Sequence, residues 1–191
     1  MSTASHGLPL APAASRTTPP TTVTVPGQVP LSGPRSLDDL AALRPAALAQ
    51  LYREARTPAV PELDGDLVGR MLAVPVLPRW MFGPLRRFAA WTLFPWRGKS
   101  FRARDGAGGD GINRVFGDRH RWFPFQTSVG PSRAGGFDAF QLDYDKPDNP
   151  RLVRAIRDEV REVAPGLYLG LAYLTGRERP RLILYFGLAR P

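Results

Sequence analysis

The chain has 191 residues, 43% hydrophobic and 23% charged, with a formal charge of +9, no cysteine and two histidines. This composition suits one globular domain and excludes a wholly disordered, collagen-like or coiled-coil chain. It also excludes disulfides, thiolate metal sites, cysteine nucleophiles and multi-histidine metal centres, and no apolar run is long enough to span a membrane as a simple helix.

Residues 1–34 are rich in Pro, Thr, Ser and Ala and contain no acid and no aromatic ring. Such a segment buries too little apolar surface to offset the entropy of ordering, so a disordered leader is predicted. It lacks the basic start of a signal peptide, and Pro9 and Pro12 interrupt its one apolar patch, which points to a cytoplasmic location. The folded part is expected over 35–191, with a helical lead-in at 35–60 and a β-rich body at 63–191. Ser36 is placed to cap a helix, with Asp38 and Asp39 in the first turn, and Pro45 divides the lead-in into two short helices.

From Leu63 the pattern changes. Strands are predicted at 67–76, 96–101, 112–116, 122–127, 137–145, 167–175 and 181–189, each short, aromatic or β-branched and bounded by turn residues. Asp105–Gly111 reads as a mobile glycine-rich hairpin loop, and Gly69, Gly98, Gly170 and Gly187 are expected to supply bulges or kinks. Gly83–Pro84 opens a second helical candidate, closed by Pro95. A third helix is predicted across 150–163, capped by Asp148 or Asn149, with Leu152, Ile156, Val160 and Val163 as its buried stripe and Arg154 and Asp158 as an i,i+4 pair. The sum is an α+β chain: mainly antiparallel curved sheet or a small calycin-like β-barrel, with N-terminal helices and one helix before the last hairpin.

The charge is concentrated. Residues 67–104 carry Arg70, Arg79, Arg86, Arg87, Arg97, Lys99, Arg102 and Arg104 with no acid among them. Outside this stretch and the leader, basic and acidic residues balance, so the excess makes a directed field. The same stretch holds three of the four tryptophans. Arg and Lys beside large rings suit either a membrane interface or the mouth of a pocket for an apolar ligand with an acidic head. Arg86, Arg87, Trp91, Trp96, Arg97, Lys99 and Trp122 are therefore the expected ligand-binding residues.

Asp143, Tyr144 and Asp145 alternate, with the two acids on one face of a strand and Tyr144 on the other. Asp143, Asp145, Tyr144, Tyr173 and His120 are the candidate proton-transfer groups. Lys146 and Pro147 interrupt the acidic run, which argues against a calcium loop, and no metal or cofactor is expected. The leading expectation is binding of an apolar or lipid-like, acidic small molecule in a β-barrel, with an anionic membrane surface as a further contact. Nucleic acid ranks low, because no recognition motif is present. The alternatives are a cofactor-free enzyme of isomerase, cyclase or decarboxylase type, using Asp, Tyr and Arg in the same cavity, and a protein-interaction module.

Overall fold

The computed structural model describes residues 33–75, 96–104, 108–116, 119–175 and 179–191. Two short helices come first, α1 (Leu37–Ala42) and α2 (Pro45–Glu54), followed by a 3₁₀ turn at Val60–Leu63. The Ser36 side chain caps α1 by accepting from the Asp39 amide, and Pro45 begins α2 as expected. Eight strands follow: β1 (Gly65–Ala73), β2 (Trp96–Ala103), β3 (Gly108–Val115), β4 (His120–Pro131), β5 (Asp138–Asp143), β6 (Ile156–Ala164), β7 (Leu167–Leu174) and β8 (Arg181–Ala189). A single turn of helix, α3 (Arg151–Arg154), lies between β5 and β6.

Every strand pairs antiparallel with its neighbour in sequence, and β1 pairs with β8, so the sheet closes into a barrel. Closure gives two apolar compartments. The inner one holds Leu67, Phe101, Phe125, Phe140, Leu142, Val160, Tyr168, Phe186 and Leu188, with Val60 and Leu63 of the 3₁₀ turn plugging one end. Phe101 packs edge-on against Phe125 and Phe140, with ring centroids 5.5 and 5.9 Å apart. The outer compartment lies between the wall and the two helices. Leu40, Leu48 and Tyr52 cover Leu72, Leu167, Leu169, Leu171, Tyr173 and Tyr185. Strand β7 is therefore buried on both faces, with Tyr168 and Ala172 inward and Leu167, Leu169 and Leu171 outward.

The helix predicted across 150–163 is corrected to α3 plus strand β6. Its stripe residues 152, 156 and 160 are four apart, a spacing that also keeps residues on one face of a strand. Pairing with both β5 and β7 decides the matter in favour of the strand. Leu152 is 71% exposed rather than buried. Asn149 donates its side-chain amide to the carbonyls of Pro124 and Tyr144 instead of capping a helix. The glycine-rich hairpin loop is also shorter than predicted, since Gly108–Gly111 belong to β3. The helical candidate at 84–95 and residues 1–32 of the leader lie outside the described residues. No helix among the described residues is long and apolar enough to cross a membrane.

Candidate functional site

The described residues leave space at the end of the barrel opposite the 3₁₀ turn. A cavity of about 260 Å³ opens there, lined by Met71, Trp96, Lys99, Asn113, Phe123, Tyr144, Val153, Ile156, Asp158, Ala172, Ile183, Leu184 and Phe186. Among the described residues its walls are mostly apolar, and besides the Trp96 indole its polar groups are four side chains from four parts of the barrel: Lys99 on β2, Asn113 on β3, Tyr144 just after β5 and Asp158 on β6.

Backbone irregularity aims two of the lining residues. On a regular strand, Trp96 and Lys99 would point to opposite faces. The β2–β3 register shifts between Trp96 and Gly98, so Arg97 is the extra residue of a bulge and both Trp96 and Lys99 line the cavity. Gly98 sits at φ +142°, and a Cβ there would lie 2.0 Å from the Leu67 carbonyl oxygen, so the bulge requires glycine. A second shift, at Ile112/Asn113 against Pro124/Trp122, accompanies the positive φ (56°) of Phe123, another cavity residue.

Lys99 is 3% exposed and Asp158 4%. The Lys99 ammonium donates to Asn113 Oδ1 at 2.9 Å, Tyr144 Oη at 2.5 Å and Asp158 Oδ2 at 3.1 Å. Ring centroids of Trp96, Phe125, Tyr144 and Phe186 lie 5.2–5.5 Å from the same nitrogen, a cation–π contribution that offsets lost hydration. Tyr144 donates its hydroxyl to Asp158 Oδ2 at 3.0 Å. Asn113 accepts from the Trp96 indole at 3.0 Å and donates to the Phe123 carbonyl at 3.2 Å and Tyr144 Oη at 3.3 Å. Only Asp158 Oδ1 is left without a partner among the described residues of this cluster. Burial pulls the Lys99 ammonium below the ordinary lysine value, and Asp158 opposes that pull. Burial, and then the charge of Asp158, hold the Tyr144 phenol well above the ordinary tyrosine value.

Three of the residues expected from the sequence therefore meet in one place: Trp96, Lys99 and Tyr144. The others do not. Asp143 and Asp145 are exposed and pair with Arg157 and Arg154, at 3.2 and 2.7 Å. Tyr173 faces the outer compartment, where the Arg133 guanidinium lies over its ring. Trp122 is 44% exposed and stacks on His120 at 5.5 Å, with Phe116 against both. This exposed cluster sits on the β3–β4 turn beside the cavity residue Phe123. Arg97 does not line the cavity. Arg86, Arg87 and Trp91 lie outside the described residues.

The uncompensated charge read from the sequence also changes. Lys99 is neutralised by Asp158, Arg70 pairs with Asp38, and Arg104 pairs with Asp110. Asn113 and Asp158 had no signal of their own. Asn113 is one polar residue in a β-branched run, and Asp158 looked like half of a helical surface pair with Arg154.

A crystal structure of a protein from Thermomonospora curvata superposes on 78% of this chain and 88% of its own, at 20% identity and a TM-score of 0.48. No family model and no curated protein matches the chain.

Proposed function

We propose that the barrel binds an apolar or lipid-like small molecule, with its hydrocarbon part in the open half of the lumen. The observation that carries this reading is the cavity itself: a concave, apolar space with a few convergent polar groups at one place is the usual form of a small-molecule site. Eight antiparallel strands around a partly filled lumen is also the architecture of lipocalin-type carriers. Arg119, Arg151, Arg179 and Arg181, exposed in or beside the β3–β4, β5–β6 and β7–β8 connections, are the described cations that an acidic head would meet. Among the described residues, the one cation that lines the cavity, Lys99, already has a carboxylate partner.

The enzyme reading requires an acid and an arginine in one cavity. Here the acid arrives with a lysine whose three protons are all held by neighbours, and no arginine among the described residues lines the space. Binding is therefore the better-supported function. The test is titration of the full chain with 2-methylnaphthalene followed by tryptophan fluorescence, beside the cavity-filling variant Ala172→Phe. Saturable binding that the variant loses is the expected outcome. Absence of binding to a cooperatively folded wild-type chain overturns the proposal.

A further inference from the structure

When each strand runs antiparallel to the next, every second connection emerges at the same end. The β3–β4, β5–β6 and β7–β8 connections therefore lie together, at the end where the cavity opens. Five large apolar side chains are exposed among the described residues, and three of them lie in or beside these connections: Phe116 (49% exposed), Trp122 and Leu152. Two of the three are next in the chain to residues that line the cavity. Trp122 precedes Phe123, with ring centroids 6.1 Å apart, and Leu152 precedes Val153. The Phe116 and Trp122 rings meet edge-on at 5.5 Å and form one apolar knob. Apolar surface gathered in one exposed place marks an interaction site, where scattered single residues do not.

The same end is cationic. Arg119, Arg151, Arg179 and Arg181 are exposed, and none meets a carboxylate among the described residues. By contrast, Arg70 pairs with Asp38, Arg104 with Asp110, and Arg56 with Glu62 and Glu162. We propose that this end is a docking face for an anionic lipid bilayer. Phe116, Trp122 and Leu152 enter the headgroup region, the four arginines meet lipid phosphates, and the cavity opens toward the hydrocarbon. Other partners fit the face less well. A second copy using the same face would set four unpaired arginines against their own counterparts, and like charges repel. A nucleic acid would satisfy the arginines and give the aliphatic Leu152 nothing to contact. A folded acidic protein would need carboxylates matched to guanidinium groups on three separate connections, whereas lipid headgroups rearrange to meet them.

The test is sedimentation of the full chain with vesicles of phosphatidylcholine alone and of phosphatidylcholine mixed with phosphatidylglycerol. Binding to the mixed vesicles is expected to be tighter by about tenfold or more and to weaken as salt is raised. Arg119→Glu with Arg151→Glu, and separately Trp122→Ser with Leu152→Ser, are each expected to lose about tenfold or more of that binding. Binding to neither vesicle overturns the proposal. Undiminished binding by either variant also overturns it, because attachment then needs no rings or lies elsewhere on the chain. Orientation gives a second arm that stands even where a variant does not melt cooperatively. The chain has no cysteine, so Leu152→Cys and Val129→Cys each offer one point for a polarity-sensitive dye. Val129 is exposed near the other end of β4. A blue shift of the dye at 152 and none at 129, on addition of the mixed vesicles, is expected. Equal shifts, or no shift at 152, overturn the proposal. Neither arm involves a ligand in the cavity, so bilayer docking and methylnaphthalene binding stand or fall separately.

Discussion

Lys99 and Asp158 hold each other's charge inside a wall of rings, and neither is supportable alone. Replacing Lys99 with Met leaves a bare buried carboxylate and is expected to cost about 3–5 kcal/mol in urea unfolding. Lys99→Met with Asp158→Leu removes both charges and is expected to recover at least half of that loss, since apolar replacement of a buried pair is often neutral. Additive single effects in that cycle would show that the pair is not coupled. At this scale the sequence was partly readable. Lys99 and Trp96 stood out because charge and large rings were crowded into one segment, and Tyr144 because it alternated with two acids. Asp158 was not readable, because its partners come from β2 and from the turn after β5, far away along the chain.

Among the elements, β2 depends on its bulge. Gly98→Ala adds about 1–3 kcal/mol of backbone strain and a collision with the Leu67 carbonyl. A lowered melting temperature and loss of methylnaphthalene binding are expected together, because straightening the bulge turns either Trp96 or Lys99 out of the lumen. Helix α2 depends on Leu48, which is fully buried against the barrel wall. Leu48→Ala is expected to cost about 2–5 kcal/mol, measured by denaturant unfolding. The N-terminal helices were legible because capping and proline signals are local: Ser36, Asp39 and Pro45 each act within one turn. Strand β6 was misread for the opposite reason. Its four-residue spacing satisfies both periods, and the deciding bonds come from strands on either side.

For the whole molecule, the two compartments leave all five tyrosines with raised pKa values, and burial is the largest cause in each case. A raised folded-state value means that the native chain keeps protons which the unfolded chain releases. The contribution is therefore complete below the unfolded tyrosine value of 10.0 and is lost as pH rises beyond it. Lys99 acts in the other direction, since its lowered value makes stability rise as pH climbs toward 10.5, but it is one group against five. Melting temperature is expected to fall above pH 10, and tyrosinate absorbance should grow in step with unfolding instead of preceding it. Ionisation of several tyrosines in the still-folded chain would contradict this burial pattern. Closure was also beyond reach of the sequence. Seven strand patterns fit an open curved sheet as well as a barrel, and the bonds that separate the two lie between β1 and β8.

That seam, Val68 against Ala189 through Ala73 against Tyr185, joins the first strand made to the last. A nascent chain leaving the ribosome carries an unsealed sheet until Arg181–Ala189 has cleared the exit tunnel, with both borders offering bare peptide groups to strands of other chains. Phe186 arrives in the same final segment, so the hollow has no complete wall before then either. A stop codon placed before Arg181 would be expected to yield aggregate in place of the closed barrel.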